Sequence, residues 1–251
     1  MMESRIKSLS GYEKEREEIK ALSRLIFKIT GKDEHECLQF LDLNGNVLLY
    51  GRPGTGKTSI CYECMLETPG ASFYQVNCSE LISEKLGKTQ KMIDELFKEV
   101  IDEAKTYPTY LLIEEIETFL PNRDRSKDLE DMKRALTVFM HYMERNIPNL
   151  MILCTTNYIQ NLDPAIVRRF SYKFEVSNPN EIAVNGFLTS KDNPFNSYFT
   201  DEVINEKIAH KVVEKNMTFA DLKNIMRKLF LEKQDIRQVN GTALLSKLKE
   251  E

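Results

Sequence analysis

Apolar residues recur along this chain with two alternating spacings. Over residues 12–29, Ile19, Leu22, Leu25, Ile26 and Ile29 return at three- and four-residue steps against a face of Glu, Lys and Arg. That is the period of an amphipathic helix, and Gly31 stops it. Leu38 to Leu43 reads as a short helix or turn closed by Asn44-Gly45. The unbroken apolar run 47–50 predicts a buried strand, and a helix follows from Lys57 to about Leu66, ended by Thr68-Pro69-Gly70. Further on, strands are predicted over 72–77, 110–113, 150–154 and 172–176. Helices are predicted between them over 89–104 and 129–143; in the first, Met92, Ile93, Leu96, Phe97, Val100, Ile101 and Ala104 form one stripe. Asp163-Pro164 has the form of an N-cap followed by proline at the first helical position.

Five strands alternating with helices of ten to fifteen residues argue an α/β fold with a parallel sheet covered on both faces. After Ser177-Asn178-Pro179-Asn180 only helical patterns remain, near 201–214, 219–233 and 242–249, with a polar loop over 189–198. The expected division is therefore an α/β domain over 1–178, its first 45 residues a helical N-terminal segment, and a small all-α domain over 179–251.

Composition narrows the picture in three ways. At 41% hydrophobic and 29% charged, the 251 residues suit an ordinary globular protein with a real core. A net charge of −4 announces no nucleic-acid partner, although a local basic patch would escape that count. No apolar run approaches the ~20 residues of a membrane span, and the first residues lack a signal-peptide core. Five cysteines in no regular framework suggest reduced thiols and a cytoplasmic setting. Cys61-Tyr-Glu-Cys64 matches C-x-x-C, but no second pair completes a zinc site, so it reads as two small residues on a packed helix face.

The chemistry begins where the first strand ends. Gly51-x-x-x-x-Gly56-Lys57-Thr58 fits the phosphate-binding loop, in the strand–loop–helix context that motif requires. Glycines let consecutive N–H groups curl around phosphate oxygens, and the following helix adds its positive end. Lys57 can reach the β- and γ-phosphates, and Thr58 can offer a hydroxyl to Mg²⁺. A second signal is the apolar strand ending in Glu114-Glu115, which places two carboxylates at the sheet edge where ligands bind in open α/β folds. One can hold Mg²⁺ and the other can orient the attacking water. A third is the apolar strand ending Thr155-Thr156-Asn157, whose amide can hydrogen-bond the water or a phosphate. A fourth is Arg168-Arg169-Phe170, after the short capped helix.

In this order the motifs resemble the AAA subgroup of the AAA+ ATPases over nearly the whole chain. Ser10-Gly11-Tyr12 looks like the turn near adenine, Leu86-Gly87-Lys88-Thr89 and Glu95-Leu96-Phe97 sit where the family has V-G-E-S and R-E-L-F, and 108–119 matches P-x-I-I-F-I-D-E-I-D. Arg134 to Glu144 resembles the R-x-x-x-x-L-L-x-x-M-D helix, and Ala220-Asp221-Leu222 the start of a lid helix. The resemblance implies a P-loop core with a five-stranded parallel sheet and a helical lid. It implies an ATPase using ATP and Mg²⁺, and a ring, usually a hexamer, that acts on a protein substrate or effector partner. Gly51, Pro53, Gly54, Thr55, Gly56, Lys57, Thr58, Ser59, Gly11 and Ala220 would surround the nucleotide, with Thr58 and Glu114 toward the metal. Glu115 would polarise the water, Asn157 would be the polar sensor, and Arg168 and Arg169 would reach a neighbouring subunit's ATP.

Two departures set expectations. Glu114 stands where the family has aspartate, which predicts slow hydrolysis with binding retained. Lys85 falls at or beside the pore position where threading members carry an aromatic, and residues 121–128 would form a second pore loop. With no separate N-terminal substrate domain expected, substrate choice would fall to a partner or to surfaces such as 189–198. The competing readings are a nucleotide-controlled assembly switch and, disfavoured by charge, a remodeller on DNA or RNA.

Overall fold

The computed structural model describes residues 11–28, 32–82, 87–119, 126–191 and 193–250. In chain order the elements are α1 (Glu13–Ile26), α2 (Lys32–Phe40), β1 (Asn46–Tyr50), α3 (Lys57–Leu66), β2 (Ser72–Asn77) and α4 (Cys78–Leu81). Then come α5 (Lys88–Ala104), β3 (Thr109–Glu114), α6 (Ser126–Met143), β4 (Leu150–Thr156), α7 (Pro164–Val167) and β5 (Tyr172–Glu175). The chain closes with α8 (Glu181–Thr189), α9 (Glu202–Glu214), α10 (Phe219–Lys233) and α11 (Gly241–Glu250). No helix among the described residues is long and apolar enough to cross a membrane.

The five strands form one parallel sheet in the order β2-β3-β4-β1-β5. Every residue of β4 is buried, and so are all but the last residues of β1 and β3. That is the mark of parallel strands covered on both faces. The edge strands β2 and β5 are more exposed, and β5 alternates along its length. On one face, α5 and α6 close the core around Phe97, which stacks on Tyr142 with ring centres 4.5 Å apart and meets Phe139 edge-on at 5.9 Å. Burying a side chain such as Phe97 is worth about 1.5–3 kcal/mol. The Tyr142 hydroxyl donates to Asp94 at 2.6 Å, joining the two helices at their polar margin. On the other face Tyr110 packs edge-on against Phe27 at 5.1 Å.

The chain divides into two compact units. One is Glu17–Gly51 with Cys64–Glu175, and it contains the sheet. The other joins the chain up to Arg16 with Arg52–Glu63 and Val176–Glu251, so it holds the phosphate loop, the first turns of α3 and helices α8–α11. In this second unit Glu63, 1% exposed on α3, is ion-paired with Arg16. Helix α10 opens with a capping box: Thr218 Oγ1 accepts from the Asp221 N–H at 3.2 Å, and Asp221 accepts from the Thr218 N–H at 2.8 Å.

The predicted strands and long helices are all present within a few residues of their expected ends. The short helix expected over 38–43 lies instead over Lys32–Phe40, and two further helices were not expected. Helix α8 carries Asn185-Gly186 at its centre, a pair that reads as a turn, yet Asn180 caps it and Ala183, Val184, Phe187 and Leu188 are buried. Helix α4 is a single turn, capped by Asn77. Within the polar stretch 189–198, Asn193 is buried and donates to the carbonyls of Phe187 and Leu188, both at 3.1 Å. Cys61 and Cys64 are buried on α3. Burial pushes the Cys78 thiol up to about 12 and the Cys154 thiol up as well, so neither is a ready nucleophile.

Candidate nucleotide-binding and catalytic site

The phosphate loop keeps the backbone that its glycines permit. Gly51, Gly54 and Gly56 have φ of 146°, 80° and 107°. A Cβ at Gly54 would stand 2.3 Å from the Cβ of Ala220, so only glycine fits beneath the start of α10. The loop is also tied internally. Lys57 Nζ and Thr55 Oγ1 both donate to the Arg52 carbonyl, at 2.9 and 3.0 Å. Arg52 Nη1 donates to the Asn216 carbonyl at 3.0 Å, and the Ala220 N–H meets the Gly54 carbonyl at 3.3 Å. Pro53 is exposed, whereas Thr58 and Ser59 are partly buried on the first turn of α3. Gly11, at φ 93°, lies so near α8 that a Cβ would come within 2.5 Å of Ala183. A glycine-rich loop with a lysine and a helix start suits a polyphosphate.

In the sheet unit, the carboxyl ends of the strands gather the polar residues. Glu114 ends β3 and accepts from Gln75 Nε2. Glu115 follows at φ 59°, a left-handed conformation that costs a non-glycine residue of order 1–3 kcal/mol and persists only when its surroundings hold it. They do so here. The Thr118 N–H and Oγ1 both donate to the Glu115 carbonyl, at 3.0 and 2.8 Å, and Asn77 Nδ2 donates to the Glu115 carboxylate at 3.2 Å. Asn157, just past β4, donates its N–H to Glu117 Oε1 at 3.0 Å, while Glu117 Oε2 is buried with no partner among the described residues. Glu114, Glu115 and Asn157 thus stand on one edge, together with Gly51, whose N–H donates to the Thr156 carbonyl at 3.3 Å.

Arg168 and Arg169 stand on the opposite edge. The Arg169 carbonyl accepts from Asn44 and Asn46 at the amino end of β1, at 3.2 and 3.0 Å. Strands of four to seven residues at about 3.3 Å each put roughly 10–20 Å between the two edges. The two arginines also differ from each other. Arg169 donates to the Ala165 carbonyl at 3.1 Å and is ion-paired with Glu144. Arg168 is exposed, and its Nε donates weakly to the Pro164 carbonyl at 3.3 Å. Both line a cavity of about 350 Å³ with Asp42, Asn44 and Glu144.

Three residues have supporting contacts that the sequence did not show, although Tyr12 was read as part of a turn. Asn77 and Glu117 hold Glu115 and Asn157, and Tyr12 ties the phosphate loop to Ser177. The acidic spacing Glu115-x-Glu117 was a signal for the second; the other two depend on long-range contacts. Ser10, Lys85, Leu86 and residues 121–125 lie outside the described residues, so the pore-loop expectations stay as expectations.

The fit to a metal rests on donor chemistry. Thr58 offers a hydroxyl and Glu114 a carboxylate, hard oxygens of the kind Mg²⁺ takes while keeping most of its waters. A five-stranded parallel sheet with a phosphate loop after β1 and acidic residues after β3 defines a P-loop nucleotide-binding protein. The sequence model of the ATPase family associated with various cellular activities (AAA) matches residues 47–178, more than half of the chain, and the chain belongs to that family. It is 37% identical over 149 residues to proteasome-activating nucleotidase 1 of Haloferax volcanii, covering 56% of this chain and 35% of that one. It is 31% identical over 180 residues to CD-NTase-associated protein 6 of Pseudomonas aeruginosa, covering 66% and 59%. The chain spans less than two thirds of the length of either relative. A solved HORMA:CdnC:Trip13 complex from E. coli MS115-1 contains the same fold, with a TM-score of 0.77 at 16% identity over 98% of this chain and 89% of that one.

Proposed function

We propose that this protein binds ATP with Mg²⁺, hydrolyses it in an assembly of its own copies, and uses the cycle to remodel or regulate a partner protein. The observation that carries this reading is the separation of charge across the sheet. The carboxylates lie on the edge from which the phosphate loop departs, and Arg168 and Arg169 lie on the other. Arginines so placed serve a second copy's nucleotide more readily than their own, and an arginine supplied this way is worth ~10³–10⁵ in rate. Head-to-tail contact of that kind closes into a ring, for which a hexamer is our working stoichiometry.

Within one copy the roles divide as follows. The loop from Gly51 to Gly56 cradles the phosphates, Lys57 neutralises them, and Thr58 and Glu114 hold the metal, which when bound draws charge from the phosphate oxygens. Glu115 orients and deprotonates the attacking water, and Asn157 hydrogen-bonds the water or γ-phosphate. Residues 179–251 act as a lid, with Ala220 against the loop. The longer carboxylate of Glu114 fits a slow cycle. The relatives' names, a proteasome-activating nucleotidase and a CD-NTase-associated protein, support a protein partner over nucleic acid. Five free cysteines suit a reducing cytoplasm.

Glu115→Gln should bind ATP as the native protein does and lose turnover by ~10²–10⁴-fold, since it removes the general base. Phosphate release measured beside equilibrium ATP binding tests this; native turnover in that variant would end the assignment.

A further inference from the structure

Tyr12 was read in the sequence only as part of a turn. Its side chain is 5% exposed, and its hydroxyl lies 3.1 Å from the carbonyl of Thr55 and 2.9 Å from the carbonyl of Ser177. Its ring meets Phe219, the first residue of α10, edge-on at 6.5 Å. Burial, reinforced by the nearby Glu15 charge, pushes the phenol up to about 12, so the hydroxyl keeps its proton at any physiological pH.

The consequence lies in the planarity of the peptide bond. In a trans peptide the C=O and the next N–H point in opposite directions within one rigid plane. A donor that holds the Thr55 carbonyl therefore also fixes the direction of the Gly56 N–H. Gly56, at φ 107°, has no side chain to restrict that plane by itself. One hydroxyl proton also faces two carbonyl acceptors. Whatever moves Ser177 away hands the proton wholly to Thr55, and whatever brings Ser177 closer draws it off. Ser177 is where the chain leaves β5 for the C-terminal helices.

We infer that Tyr12 is a positioning residue for the nucleotide, setting the Gly56 N–H toward the phosphates and coupling that setting, through one shared proton, to the segment that carries α8–α11. This rests on the reading of 51–58 as the phosphate site. It places control of the loop in a residue 39 positions before it, outside the loop motif.

Tyr12→Phe in the full chain removes one oxygen and leaves the ring against Phe219. ADP is the probe. The dissociation constant should rise roughly five- to tenfold, the worth of one buried hydrogen bond. At saturating ATP, kcat should change less than KM. Deuterium uptake at 51–58 should increase without nucleotide, and the response of residues 176–180 to ADP should disappear. An unchanged dissociation constant measured well below a lowered melting temperature would assign the hydroxyl to stability alone and overturn the proposal. A persisting ADP response at 176–180 would overturn the coupling. Lys57→Ala separates the two readings: native ADP affinity there defeats the phosphate-site assignment itself, whereas lost affinity with a native Tyr12→Phe defeats only the role of Tyr12. Should Tyr12→Phe not fold, the native hydroxyl proton can be followed by NMR; it should exchange slowly and shift on ADP addition, and a resonance indifferent to ADP would overturn the proposal.

Discussion

At the carboxyl edge of the sheet, Glu114 and Glu115 accept hydrogen bonds from neutral amides, Gln75 and Asn77. At the amino edge, Arg169 is held by a carboxylate, Glu144, and by a carbonyl of its own helix turn. An amide orients a carboxylate without cancelling its charge. A carboxylate beside a guanidinium cancels much of it. The carboxylates of the first edge are aimed by amides, while in the Arg168-Arg169 pair of the second it is Arg168 that presents an exposed guanidinium. The comparison teaches that adjacent arginines in one motif need not share a task. Arg169 belongs to the fold at least as much as to any site, and Arg168 is the better candidate to reach another copy.

The sharpest way to break this contrast is at Arg168. Arg168→Ala should leave the melting temperature nearly unchanged and lower ATP turnover by ~10³-fold or more. Mixing it with Glu115→Gln should restore part of the activity, because one mixed interface pairs an intact carboxylate with an intact arginine. No recovery on mixing would argue that Arg168 acts within its own subunit. A smaller effect of another kind is expected at Arg169. Arg169→Ala should destabilise the fold by roughly 1–2 kcal/mol, seen as a lower denaturant midpoint, because a partly buried side chain loses its carbonyl and carboxylate partners. If Arg169→Ala were as stable as the native chain and as inactive as Arg168→Ala, the division of labour would collapse.

How much of this was legible beforehand depended on range. The strand–loop–helix spacing around Gly51–Thr58 and the acidic end of β3 are local, and a reader of the chain finds them at once. The order β2-β3-β4-β1-β5 is not local, since hydrophobic period says that strands are buried but not beside which neighbour. The opposed edges, by contrast, follow from the common direction of the strands whatever their order. Asn77 looked like an ordinary strand end and proved to be both the cap of α4 and a donor to Glu115. Helix α8 was missed because Asn185-Gly186 carries a turn signature that burial of Val184, Phe187 and Leu188 overrides.

The smallest test concerns the turn before α1. The Gly11 N–H donates to Glu13 at 2.8 Å, and that bond, aided by Arg16, holds the Glu13 carboxyl below the ordinary glutamate range. The folded value lies below the unfolded one. The stabilisation is therefore fully present above the unfolded value and is lost as pH falls through the folded one. Glu13→Gln should lower stability slightly at neutral pH and converge with the native chain in acid, so that the acid side of the stability curve flattens, as urea midpoints across pH 3–7 would show.

The left-handed backbone at Glu115 has a consequence for how this chain can change. Most side chains at 115 bear a conformational penalty of this kind, Asn and Asp less than the rest, and glycine escapes it. On the role proposed for Glu115, a drift toward greater thermal robustness would run downhill into a protein without its general base. If Glu115 has the role proposed for it, it is a point where robustness and activity are set against each other, and an inactive glycine variant that melts no lower than its parent would be the signature of that opposition.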